Sequence, residues 1–209
     1  EYTKLIDNSW HAVKVAFANE LGRILKRDSI DVDAAIDIFL SDRKLNLSDK
    51  YLRPGNAFGG SCLSKDLQAL AAIGASRDLN TELLASALSS NEAHIRLQVA
   101  GIIESVKEQN LILCNVAFKL GTNDLRETHV LKIGKQLRSL GKTIFYCDEN
   151  LTLEKIGIPQ VKIGNQIDEQ FSQGFIDISE VRNIADAKIV RFDAMGYQIL
   201  DEIKKGYTE

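Results

Sequence analysis

The opening of this chain constrains its fold more than any other stretch, because no proline interrupts a helical period from Glu1 to Arg27. At about 100° per residue, Ile6, Trp10, Val13, Phe17, Leu21, Ile24 and Leu25 fall on one broad apolar face. Lys4, Asn8, His11 and Asn19 form a polar stripe nearly opposite. A helix of this length spans roughly 40 Å and predicts a partner along much of it, being long for a globular protein. The chain opens on Glu1-Tyr2-Thr3-Lys4, already in helical pattern and without a methionine, and so reads as a piece of something longer.

The following segments predict more helix. A second helix is expected from Asp31 to Leu40, with Asp31 or Asp33 as N-cap. An irregular loop, Asp42 to Cys62, carries Arg53-Pro54-Gly55 and Gly59-Gly60. A third helix is predicted from near Ser64 to Asp78 and a fourth from Thr81 to Lys107. The pattern changes after Asn110. Leu111–Ala117 reads as a strand, Thr128–Leu140 as a helix with Gly141 at its C-cap, and Thr143–Cys147 as a second strand. That order is a βαβ unit and implies a parallel sheet. Gln160–Ile163, Gly174–Ile178 and Ala187–Phe192 are further candidate strands, with short helices expected at Ser179–Ile184 and Met195–Lys205. The expected fold class is mixed α and α/β: an all-helical domain over residues 1–108, then an α/β domain over 109–209.

Composition narrows the function. A net charge of −3 over 209 residues supplies no clustered basic face for nucleic acid. No apolar run approaches the roughly 18 residues of a membrane span, and no signal-peptide pattern opens the chain. Cys114 and Cys147 lie in apolar strand sequences and read as small core residues, whereas Cys62 stands in a glycine-rich loop. No disulfide and a cytoplasmic location are expected. The three histidines lie far apart, so no metal site is expected. Neither Gly-x-Gly-x-x-Gly nor Gly-x-x-x-x-Gly-Lys occurs.

Cys62 sits in Phe58-Gly59-Gly60-Ser61-Cys62-Leu63-Ser64-Lys65-Asp66, where a loop turns into a helix. Helix N-terminal amides and Lys65 favour a thiolate, and paired glycines let backbone approach a ligand. Asp66, one turn on, could orient a water near the sulfur. That is a layout for covalent thiol catalysis. The same residues also fit a buried cysteine capping a core, with Asp66 as a first-turn acid favoured by the dipole. Lys4 and Asn8, one turn apart, could donate to a developing oxyanion or simply form a solvated face. Lys119 and Arg126, in the loop after the first strand, are placed to meet phosphate or belong to an ordinary charged loop. Arg53 could clamp a phosphate or cap a turn.

These segments together resemble the UDP-glucose/GDP-mannose dehydrogenase family. The matching stretches are Glu1–Asn8, Ala12–Glu20, Tyr51–Asp66 and Phe118–Glu127. Leu52–Gly55, Ala57–Cys62 and Asn8–Val15 look most like its GDP-mannose-oxidising members. The resemblance implies oxidation of the sugar C6 alcohol to a carboxylate with two NAD+, through a thiohemiacetal and then a thioester on Cys62. Asp66 would orient the hydrolytic water, and Lys4 and Asn8 would stabilise the oxyanion. Tyr51, Arg53, His11, Asn19, Gly59 and Lys119 would hold the sugar nucleotide, and Lys65 and Arg126 would reach toward NAD. It further implies a homodimer through the long first helix and a Rossmann-like α/β domain binding the sugar nucleotide. The domain holding most of the NAD would be missing from this chain. Ser64 stands where the family usually has Pro, and Asn56 where its GDP-mannose members often have an aromatic residue. Two rivals accompany this reading: a UDP-sugar substrate, or a non-catalytic binding and dimerisation module.

Overall fold

A computed structural model describes residues 2–46, 48–117, 124–148, 151, 162–163, 166–167, 174–176, 181, 184–193 and 195–201. The opening helix, α1, runs unbroken over Tyr2–Arg27, with Lys26 and Arg27 in its last turn complementing the carbonyl end. What α1 buries is its small side chains: Ser9, Ala12, Ala16, Ala18 and Asn19. Its Tyr2, Ile6, Trp10, Phe17 and Ile24 stay outside, with Ile6, Trp10 and Ile24 each 57 % exposed. Alanines on the inner face allow close approach of α3, Leu63–Ala75, and Ala12, Ala16, Phe58, Leu67 and Ala87 form one core.

The second helix, α2, covers Val32–Leu40. Asp31 is its N-cap, the carboxylate accepting from the Ala34 amide at 3.0 Å. Ile36 and Leu40 pack with Leu52, against Leu21 and Leu25. The fourth helix, α4, covers Glu82–Ser105.

The chain divides into two compact units, residues 1–94 and 95–209, and α4 contributes to both. The division therefore falls inside α4 and not at 108, because the helix beyond His94 packs with the second unit. A Cβ at Gly101 there would meet the Tyr197 hydroxyl at 2.5 Å.

The second unit holds a four-stranded sheet in the order β2-β1-β5-β6. β1 (Asn110–Cys114) is central and parallel to both β2 (Thr143–Cys147) and β5 (Ala187–Asp193). Leu111, Ile112, Leu113 and Cys114 are all buried, as expected of a parallel strand covered on both faces. The crossover helix α5, His129–Ser139, is capped by Thr128, whose hydroxyl accepts from the Val130 amide and donates to the Val116 carbonyl at 2.9 Å. Gly141 follows it with φ +90°, the left-handed conformation that ends helices. Cys114 and Cys147 stand abreast in the register of β1 and β2, both buried and neither in a disulfide.

The sheet also differs from expectation. Where a helix was expected at Met195–Lys205, Gly196–Leu200 forms β6, antiparallel to β5. Gly196 has φ +134°, which no helix accommodates, and Asp193 accepts from the Met195 amide at 2.8 Å to turn the chain back. The sheet is thus parallel with one antiparallel edge. Of Gln160–Ile163, the described residues Lys162–Ile163 form β3, a two-residue strand paired antiparallel with β4, Gln166–Ile167. Phe175 makes a parallel bridge to Tyr146. Most of Ser179–Ile184 lies outside the described residues.

Candidate active site

Cys62 is the N-cap residue of α3, exposed and with a free thiol. The loop before it is bent at Gly60, where φ is +81°, and both Gly59 and Gly60 are buried. The Ser61 hydroxyl lies 3.9 Å from Cys62 Sγ. One turn into α3, Asp66 is 2 % exposed. Its Oδ2 accepts from Asn8 Nδ2 at 2.6 Å, and its Oδ1 lies 3.6 Å from Lys65 Nζ. Lys4 is exposed one turn before Asn8. An accessible thiol therefore stands one turn from a buried carboxylate, which is fixed from across the helix pair by an amide. A buried carboxylate without such a donor would be costly.

The remaining expected residues are distributed differently. Arg53 is bound to Asp37 of α2 at 2.5 Å, a hydrogen bond that raises the guanidinium pKa further. Tyr51, with φ +67°, lies against His11 at a ring separation of 4.8 Å. Lys14 Nζ is 5.6 Å from the same tyrosine ring and 5.7 Å from that of Trp10. In the second unit, the Arg126 guanidinium donates to Asp124 at 2.9 and 2.7 Å and its backbone amide at 3.0 Å, holding that carboxyl below its usual range. Lys119 lies outside the described residues. No group of metal-ligating side chains occurs among the described residues.

Asn19 is only 2 % exposed, and both ends of its amide are engaged with the loop. Its Oδ1 accepts from the Gly55 amide at 2.8 Å and its Nδ2 donates to the Asn56 carbonyl at 3.1 Å. Gly22, one turn on, leaves room for the Pro54 ring, which would lie 2.6 Å from any Cβ there. Two further residues hold the same loop and were not among those expected. Asn91 of α4 accepts from the Phe58 amide at 2.8 Å and donates to its carbonyl at 2.9 Å. His94 contacts the Gly55 carbonyl through Nε2 at 2.9 Å and Arg23 through Nδ1 at 3.1 Å. A guanidinium only donates, so Nδ1 accepts and the single proton sits on Nε2. The sequence signal for both was polar residues inside the stripe of α4 that also carries Ala87 and Ile95, each one turn from Asn91.

Burial pushes the His94 pKa below the ordinary histidine value; its bond to Gly55 acts the other way, and Arg23 lowers it again. The unfolded chain then binds a proton that the folded chain resists. Stability is present above about pH 6.5 and is lost as pH falls below it. Between pH 7.5 and 5.5 the wild-type melting temperature should fall further than that of His94→Gln. Equal falls would show that His94 carries no such linkage.

Comparison with known proteins identifies the family. The sequence profile of the UDP-glucose/GDP-mannose dehydrogenase family, central domain, matches residues 1–93. A GDP-mannose 6-dehydrogenase of Pseudomonas putida is 40 % identical over 156 residues, covering 75 % of this chain and 35 % of that protein. The chain belongs to the UDP-glucose/GDP-mannose dehydrogenase family. Among family members, the UDP-glucose 6-dehydrogenase TuaD of Bacillus subtilis is 31 % identical over 173 residues, covering 80 % of this chain and 36 % of that protein. The chain thus spans about a third of the length of these relatives. A UDP-glucose dehydrogenase structure from Pyrobaculum islandicum shares the fold with a TM-score of 0.73 at 22 % identity, covering 91 % of this chain and 42 % of that one. No helix among the described residues is long and apolar enough to cross a membrane.

Proposed function

We propose that this chain is the substrate-binding and dimerisation part of an NAD-dependent nucleotide-sugar 6-dehydrogenase that converts GDP-mannose to GDP-mannuronate in the cytoplasm. One observation carries the reading: an exposed Cys62 at the start of α3, one turn from a buried Asp66 that Asn8 holds at 2.6 Å. GDP-mannose is the favoured sugar nucleotide because the 40 %-identical relative bears that substrate in its name. The 31 %-identical TuaD favours a UDP-sugar as the second reading.

In this reading the Cys62 thiol adds to the C6 aldehyde of the half-oxidised sugar. A bond forms between Sγ and C6, and the proton ends on the C6 oxygen, where Lys4 and Asn8 donate to the developing charge. Once the carbon has reached thioester level, a water held by Asp66 attacks it, the C–S bond breaks, and the carboxylate leaves with the thiol restored. NAD+ supplies the two-electron oxidant for both oxidations when bound. Lys65 fits such a ligand, since its side chain is 67 % exposed beside Cys62 and able to meet a diphosphate. Arg126 would first have to share its guanidinium with Asp124. The sequence carries no glycine-rich phosphate cradle, so in this reading other residues hold most of the dinucleotide. Tyr51, His11, Arg53, Gly59 and Lys119 are assigned to the sugar nucleotide. Asn19 serves the same site through the loop backbone.

The exposed apolar residues of α1, Tyr2, Ile6, Trp10, Phe17 and Ile24, are spaced so as to line one face. A second copy of the chain is the proposed occupant of that face. Calorimetric titration tests the substrate assignment: heat on adding GDP-mannose and none with UDP-glucose is the expected result. Selective UDP-glucose binding would favour the second reading, and binding of neither would count against a working sugar-nucleotide site in this chain.

A further inference from the structure

We propose that Asn91 and His94 of α4 are positioning residues: they hold the backbone of Phe58 and Gly55 and thereby fix Arg53 and Cys62, which flank that stretch. The inference rests on the reading of Arg53 and Cys62 as site residues.

The stretch from Arg53 to Cys62 contains no helix or strand, so its peptide groups need partners from elsewhere. Side chains of two helices supply them. Asn91 is 3 % exposed and spends both ends of its amide on one residue, Phe58. A shift of the loop by one residue would break both bonds together, so the contact fixes register as well as position. The Phe58 ring is anchored too, in the core with Leu67, Ala16 and Ala87. Only Gly59, Gly60 and Ser61 then separate the anchored residue from Cys62.

At the other end, His94 donates to the Gly55 carbonyl while its opposite nitrogen accepts from Arg23. Arg23 is itself held, its guanidinium 3.4 Å from Ser90 Oγ and 3.7 Å from Glu20. Ser90 Oγ donates to Glu20 at 2.5 Å. Histidine, arginine, serine and glutamate thus form a connected network ending on the loop, which narrows the orientations open to the His94 ring. Pro54, between Arg53 and Gly55, lies against Gly22. Asn91 is buried and His94 is committed at both nitrogens, so each acts through the loop.

A fluorine reporter on Cys62 tests this without any nucleotide. Alkylation with bromotrifluoroacetone should place one trifluoroacetonyl group on the exposed thiol and give a single 19F resonance in the wild type. Asn91→Leu and His94→Leu should each move that line by more than its width or split it. His94→Gln, which keeps a donor for the Gly55 carbonyl, should restore the wild-type line. Asn80→Ala removes a bond to the Glu82 amide at the start of α4, away from the loop, and should lower the melting temperature with the line unmoved. An unshifted line in both leucine variants would overturn the proposal, as would an equal shift in Asn80→Ala. Should Asn91→Leu fail to fold, Asn91→Asp, which keeps the acceptor for the Phe58 amide and loses the donor, takes its place with the same criterion. Failure of the GDP-mannose titration would overturn the site reading and leave this resonance as it is.

Discussion

Iodoacetamide at neutral pH should label Cys62 at least about 10³-fold faster than Cys114 or Cys147, and Cys62→Ser should leave no fast-reacting sulfur. Cys62 is exposed, whereas Cys114 is 4 % and Cys147 0 % exposed, abreast at the C-terminal ends of β1 and β2. Alkylation of either buried thiol requires the second unit to open. An opening that costs about 4 kcal/mol, well within the range of local and global unfolding, slows the reaction by about 10³. Time-resolved mass spectrometry of the native chain reads the three rates separately. Comparable rates would mean either that the sheet opens readily or that Cys62 is shielded, and both would undercut the thiol assignment.

The second large effect concerns the outer face of α1. Sedimentation should find the chain dimeric at micromolar concentration, and Trp10→Glu combined with Phe17→Glu should raise the dissociation constant by at least about 10³. Trp10 and Phe17 are 57 % and 47 % exposed and lie among the other large apolar residues of the same face. Buried aromatic anchors at interfaces are each worth about 2 kcal/mol or more, and two together give roughly that factor. Neither side chain belongs to the inner face built on Ala12 and Ala16, so the monomer should keep its fold. A wild-type monomer at that concentration, or a double variant with unchanged association, would remove the interface from α1.

Local pattern carried a good part of this structure. The proline-free period of α1, the Asp31 cap of α2 and the β1-α5-β2 unit each write their geometry into neighbouring residues, and each stands close to where the sequence puts it. The segment after Asp193 was misread because Met195–Lys205 holds apolar residues at spacings a helix tolerates. The outcome depended on an edge of β5 being free for pairing and on the conformation of Gly196. At the site, Asn8 and Asp66 were legible as separate motifs, but their bond crosses 58 residues of sequence. Asn91 was legible only as a polar residue inside an apolar stripe; its partner is the backbone of a residue 33 positions away, and a peptide group leaves no trace in the choice of side chain. Asn19 was legible as important and assigned to a ligand. The structure engages it with backbone instead.

Gly22 has a bearing on engineering. It is the one glycine of α1, and a designer wishing to stiffen the longest helix would replace it first, since alanine gains about 1 kcal/mol over glycine in a helix interior. In this protein the added methyl would meet Pro54 at 2.6 Å and press on the loop that leads to Cys62. The helix is left locally weaker at that turn so that the loop can seat against it, and a stabilisation campaign guided by helix propensity alone would gain helix content and lose the seat.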